Sequence, residues 1–462
     1  MKRLTYCPRG NREGSTLVLA LIMIVMLSAL AVAMAGMSGA NVQVADNFRK
    51  LDNTRANAES GLEVMRYWIG KVAMSGNIAP SDRFSTLASK FQDALTDAGI
   101  TNIVPVHSGS TITISNVPLN SLSGQNFSAV LTKINDDKAR LEVTGHYGPI
   151  SRTIRSDLVF SERADTVFDF GVATKGPLIL SGSVEIDGVN INVESNAYIE
   201  SPGTRLALSI SGNSHIAGEV KIVNPSADVF LGSKAGVGGE TAPGAYEHIT
   251  KGVPPSDFPE MATATFASYA TNVLSPTVDL KKAVTLTNIR IPAGMNPKFS
   301  GNATLSGVIF IEWPNVVDFT GGVNITGVIV TNGSQSDDSG TNQLIFRGNV
   351  VSRSVDELPQ EPQFAGLHDK TGTFVMAPGF AVSFGGTFSA LNGVIAANGV
   401  EFFGNAGGTI NGSVINYADK DMTVSGNSTL QFNRSGLDKV PAGFKPQIIV
   451  HYDPTSYSEV PL

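Results

Sequence analysis

Arg12-Glu13-Gly14-Ser15-Thr16-Leu17-Val18 opens directly into an uncharged run that lasts to Ala45, and this junction decides how the rest of the chain is read. Ahead of it, residues 1–14 carry Lys2, Arg3, Arg9 and Arg12 against Glu13, a basic leader that the positive-inside rule keeps in the cytoplasm. Leu17 to Met37 is 21 residues without a charge. At about 1.5 Å per residue that is enough to cross about 30 Å of hydrocarbon. Three N-termini fit this pattern. A secretory signal peptidase would use the small-x-small site Ala33-Met34-Ala35. An uncut signal anchor would keep the whole segment. A third kind of leader is cut on the cytoplasmic side just after Gly14, leaving the apolar helix at the new N-terminus.

The residues beyond the apolar run separate these readings. Their helical pattern does not stop: Phe48, Leu51, Arg55, Ala58, Leu62, Met65, Ile69 and Val72 recur at alternating steps of three and four, an a/d seam with one polar break. Pro is absent from residue 9 to residue 79. The spacing predicts one helix from about Ser15 to about Met74, roughly 90 Å long.

On these residues the chain resembles the type IV pilin-like proteins, and within them the PilX-type minor pilins. Gly14-Ser15-Thr16-Leu17-Val18 is similar to a prepilin peptidase site, and Ala56-Asn57-Ala58-Glu59-Ser60-Gly61-Leu62-Glu63 is similar to the Ala-x-x-Ala-Glu-x-Gly-Leu segment that closes the family's helix. The resemblance covers about residues 10–75, with weaker support to about 160. It implies cleavage between Gly14 and Ser15, N-methylation of the new terminus, and assembly through Thr16, Leu17, Val18 and Leu19. It also implies a single helix in the bacterial inner membrane, with the bulk of the chain periplasmic or extracellular. One position departs from the family. The fifth residue of the mature chain, usually Glu, is Leu19. An unpaired carboxylate in lipid is costly, so the Glu favours transfer from membrane to fibre. Its absence points to a minor, initiating or tip role.

Composition narrows the classes further. The 462-residue chain has room for two or three domains. It is Gly-rich (48) and poorly charged (16%), with a formal net charge of −7 that falls to about −10 without the leader. No basic patch is available to neutralise phosphates, which argues against nucleic acid. The only cysteine is Cys7, inside the leader, so a mature chain has neither disulfide nor thiolate metal site.

Residues 76–165 read as a small α+β head: a turn at Ala79-Pro80-Ser81-Asp82, a helix with Phe84, Leu87, Phe91 and Leu95 on one face, then an antiparallel meander over Phe127–Ile134, Ala139–Gly145 and Thr153–Phe160. Residues 166–435 change character, with short β-prone runs ended by Gly, Asn or Ser. Ser-Gly-Asn recurs at residues 211, 300 and 425. A Gly-Val-Ile motif recurs around Gly307, Gly327, Gly393 and Gly412, at spacings of 20 and 19. Repeats too short to bury their own apolar face stack into solenoids. The expected fold is therefore multidomain α+β, ending in a right-handed parallel β-helix, with a β-sandwich or jelly roll as the alternative. An insertion over 235–273 is expected to cross the surface as an extended loop, ending in a helix-like Ala262–Ala270. A tail over 436–462 carries one more strand, Gln447–Tyr452.

Such coils also host polysaccharide lyases and hydrolases, which need clustered carboxylates. The candidate acids are Glu185, Asp187, Glu194, Glu200, Glu312, Asp318 and Glu401; Glu185 and Asp187 share a strand face. A solvated sheet face explains that pair more simply. The Ser334–Gly340 loop lacks EF-hand spacing and reads as a flexible loop. The six His are remote from one another, with no HxxxH or HExxH. The expectation is a structural minor pilin-like protein, primer or cap of a fibre, displaying its solenoid for adhesion. It has no catalytic residue, cofactor or metal. Its partners are the inner membrane, prepilin peptidase, other pilins of the fibre and a surface glycan, with no nucleic acid. The alternative is an anchored or secreted β-helix enzyme acting on polysaccharide.

Overall fold

The computed structural model describes residues 13–120, 124–202, 205–435 and 439–460, with side chains from residue 16. Leader residues 1–12, Cys7 among them, lie outside the described residues, as does the junction 436–438. The chain forms two compact units, one of residues 1–74, 78–161 and 449–462, the other of residues 75–77 and 162–448.

The first unit is built on one long helix, α1 (Glu13–Ile69). It ends five residues before the expected Met74. Gly70, a poor helix former, is the first residue past it, and Ala73–Ser75 is already a strand, β1. The face that α1 buries is set by Thr54, Asn57, Ala58, Leu62, Met65 and Ile69. The expected seam is thus correct from Ala58 onward and wrong before it: Phe48 is 63% exposed and Arg55 is also exposed. Leu51 is half-buried, and Arg55 reaches the sheet only through its ion pair with Glu459 at 3.3 Å.

The sheet against α1 contains β1, β2 (Val106–Ser108), β3 (Thr111–Asn120), β4 (Gln125–Asn135), β5 (Lys138–Tyr147) and β6 (Ile150–Arg163). From β2 to β6, neighbours in sequence pair antiparallel. A seventh strand, Gln447–Glu459, lies between β6 and β1. The expected tail strand is therefore both longer than Gln447–Tyr452 and part of the head. Ser456 and Ser458 accept or share hydrogen bonds with Asp157, Ser156 and Arg155 of β6 at 2.7–2.9 Å.

Two glycines let helix and sheet meet. A Cβ on Gly61 would stand 2.5 Å from the Phe127 ring and 2.8 Å from Val143, and one on Gly145 would stand 2.2 Å from the Thr54 carbonyl oxygen. Asn57 fastens the same contact by donating to the His146 carbonyl at 2.8 Å. The second helix, α2 (Arg83–Asp97), buries Phe84, Leu87, Phe91 and Leu95, the four positions that its spacing marked.

The second unit is a stack of short strands in several sheets. One ladder of nine strands runs, in spatial order, from Lys298–Phe299 through Val316–Phe319, Gln343–Phe346, Ala381–Phe384, Val400–Phe402 and Met422–Gly426 to Leu178–Gly182, Leu206–Ile210 and Asp228–Leu231. Among the described residues the strand pairings of this unit are parallel and mostly in register, as with Gly307 on Gly327 and Val308 on Val328, apart from the antiparallel pair of Gly236–Val237 with Glu240–Thr241. The recurrent Ser-Gly-Asn sits at one corner of successive turns: Gly426 pairs with Gly182, and a Cβ on Gly212 would stand 2.1 Å from the Gly182 carbonyl oxygen. Positive φ at Gly182, Gly212, Gly404 and Gly426 makes glycine the residue for that corner. Inside, Phe299, Phe319, Phe346, Phe384 and Phe402 stack ring on ring at 4.8–5.2 Å.

Spatial order is not sequence order. The chain enters mid-stack at Val172–Thr174, winds to one end at Ile249–Lys251, then reappears at the other end at Asn272–Val273 and winds back until Val414–Asn416 pairs with Val172–Thr174. Counting both end strands, eleven strands make ten steps between those ends, about 48 Å at about 4.8 Å per step. The twenty residues 252–271 reach about 66 Å when extended, so the linker can make the return in one pass. It is more than a surface loop. Met261, Phe266 and Ala270 are buried in a second apolar core with Val308, Val328, Val330 and Met376. Only Ala264–Ala267 of the expected 262–270 helix is helical.

Candidate functional site

The residues expected to carry assembly all lie at the start of α1. Gly14 and Ser15 fall in its first turn, and Leu17, Val18 and Leu19 are 73%, 57% and 63% exposed. From Leu17 to Met37 every large apolar side chain stands open, and the most apolar 18-residue window has a mean hydropathy of 2.9 with none of it buried. A helix that is apolar all round with nothing packed on it is long enough to span a bilayer, so this single N-terminal helix is compatible with membrane anchoring. Charges return at Asp46, Arg49 and Lys50, where Asp46 pairs with Arg49 at 2.9 Å and with Lys50 at 2.6 Å.

Three of the seven candidate acids, Glu194, Glu312 and Asp318, are engaged in holding structure. Glu194 is 7% exposed and accepts from the backbone N–H groups of Asn190, Ile191 and Arg434 and from the Asn190 side chain. Burial would raise its pKa, but these donors outweigh it and hold the carboxyl below its ordinary value. Glu312 pairs with Arg290 at 3.2 Å, and Asp318 lies between Arg347 at 3.3 Å and Lys298 at 3.7 Å. Glu185 and Asp187 share an outward face as expected. Burial raises Asp187, Glu185 adds to the rise, and His215 at 3.9 Å opposes it. Among the described residues no three His, Cys, Asp or Glu side chains gather closely enough to hold a metal ion.

Sequence reasoning missed a polar knot under the crossing segment. Asp165 is 4% exposed; burial, with Asp257 beside it, pushes its carboxyl up to about 7 against a hydrogen bond from Gln447. Glu200 is raised by burial despite Lys175, with Asp419 and Asp257 adding to the rise. The buried Tyr417 hydroxyl donates to the Pro259 carbonyl at 2.7 Å, and Tyr198 accepts from the Ser256 N–H at 2.7 Å. Lys175 stacks over Phe258 at 5.3 Å. These contacts clamp residues 256–259 to the stack. No short motif signals them, because the partners are remote in sequence.

The expected flexible loop at Ser334–Gly340 is tied down. Asp338 accepts from the Asn398 amide at 2.6 Å and from the Asp419 N–H at 3.3 Å, and Lys420 donates to the Ser339 carbonyl at 3.3 Å.

No family model matches the chain, and no curated protein matches it significantly. Among solved structures, the crystal structure of the competence-associated pilin ComZ from Thermus thermophilus aligns over 88% of this chain and 97% of that one, at 13% identity. The TM-score is 0.28, too low to establish a shared fold.

Proposed function

We propose that this chain is a pilin-like minor subunit of the PilX type, processed after Gly14 and anchored by α1, which displays its β-array outside the cell at the start or tip of a type IV pilus or pseudopilus. The observation that carries this reading is the continuity of α1. A bare apolar segment of membrane length runs without a break into the stretch that packs, through Gly61 and Gly145, on the head sheet. A cleavable signal has no reason to continue as a folded element of the mature domain. Leu19 supports a minor rather than a repeating role, since the apolar face at that position offers no carboxylate to a neighbouring subunit.

We further infer that the array is a parallel β-helix. In-register parallel ladders, glycine corners and an internal phenylalanine stack favour it over a sandwich, which pairs its strands antiparallel. Its work is adhesion rather than catalysis: Glu194, Glu312 and Asp318 are occupied by structural partners, and Glu185 and Asp187 form a lone acidic pair on an outward sheet face. The test is fractionation of the native host with and without its prepilin peptidase. The proposal expects the chain in sheared surface fibres of the parent, and in the peptidase mutant only in the membrane, heavier by the 14-residue leader. Unchanged size and release in the mutant would refute it.

A further inference from the structure

One outward face of the array carries a groove of about 280 Å³. Its floor is four neighbouring parallel strands, Gln343–Phe346, Ala381–Phe384, Val400–Phe402 and Met422–Gly426. Ser383, Glu401 and Thr423 are direct register partners, so their side chains stand in one row at about 4.8 Å spacing. Gln343 and Ala381 form the adjoining row. One wall is the 334–341 loop, held at the start of the strands by its Asp338 bonds to Asn398 and Asp419; Lys420, which donates to the Ser339 carbonyl, and Asp421 continue that wall.

The chemistry of the lining selects a ligand class. Asp338, Glu401 and Asp421 only accept hydrogen bonds when ionised, while Ser383, Thr423 and Gln343 both donate and accept. Three carboxylates against one lysine repel phosphates, uronates and any nucleic-acid backbone. The carboxylates do not converge on a metal position. A ligand that is uncharged, rich in O–H donors and part apolar fits what remains, with the half-buried Ala381 facing its C–H surface. The volume is at the small end of ligand clefts.

We infer that this groove binds a neutral saccharide, about one or two rings at a time, with Glu401 and Asp421 accepting from its hydroxyls. The inference gives the displayed array its ligand and rests on the adhesive reading. Anchoring and processing are read by separate experiments, so either can fail alone.

The test is titration of the full chain in detergent micelles with maltotriose, cellotriose and chitotriose by calorimetry, preceded by a neutral-glycan array to choose the probe. Glu401→Gln should weaken binding about tenfold, the scale of one charge-assisted hydrogen bond. Ser383→Trp, which fills the groove from an outward position, should abolish it with the circular dichroism unchanged; if that variant misfolds, Glu401→Gln decides. Binding that persists through Glu401→Gln overturns the inference. So does a silent neutral array, or capture of oligolysine alone with an affinity that collapses in salt, which would mark a cationic peptide as the ligand.

Discussion

The head and the β-array are both sheet, and they are ordered in opposite ways. In the head, β2 to β6 each pair with the next strand in sequence through short turns, and one distant strand completes the sheet. In the array no pairing between coils is a hairpin, and the spatial order is the sequence order cut at residue 251 and rejoined at the other end. Their cohesion differs accordingly. The head depends on one helix lying close to one sheet, a contact permitted by Gly61 and Gly145. The array spreads its cohesion over a ladder in which each coil repeats the last.

This contrast can be broken at graded cost. The largest effect falls on the array's internal stack: Phe346→Ala removes a ring stacked on both Phe319 and Phe384 and should destabilise that unit by about 3–5 kcal/mol. Thermal unfolding followed by near-UV circular dichroism checks it. Gly145→Ala comes next. Its methyl would meet the α1 backbone, at the Thr54 carbonyl oxygen and the Ala58 N–H, so about 2–3 kcal/mol should be lost from the head. Hydrogen exchange at β5 should then rise while the array strands stay protected.

Asp165→Asn sharpens the comparison from the other side, by stabilising. Because the folded pKa of about 7 lies above the ordinary value near 3.9, the folded state holds a proton that the unfolded chain has released. Stability from this group is complete below about pH 4, declines as pH rises to about 7, and is flat above it. The variant should match the parent at pH 4 and exceed it by about 1–3 kcal/mol at pH 8, after allowance for relaxation around the buried group. Melting temperatures across that range give the answer; a constant difference at all pH values would contradict it.

Legibility in the sequence divides along the same line. The amphipathic spacing of α2 and the alternation in β4 to β6 are local, so they can be read directly. The Ser-Gly-Asn and Gly-Val-Ile repeats mark strands that pair in parallel, with Gly307 on Gly327 and Gly426 on Gly182. The order of the coils is invisible, since any two share the same internal pattern and nothing in Val172–Thr174 marks Val414–Asn416 as its neighbour. The last strand was legible as a strand, yet its place beside β6 depends on a pairing across some 300 residues. Glu194 and Asp165 look like ordinary surface acids until their burial is known. At the candidate assembly site the apolar run was plain, whereas the role of Gly61 becomes evident only against Phe127.

The measurement that bears most directly on the pilin-like reading is the mass of the mature N-terminal peptide from the native host. That reading predicts a chain beginning at Ser15 with one added methyl group. A chain beginning at Gly36, or an intact leader on protein recovered from the cell surface, would contradict it.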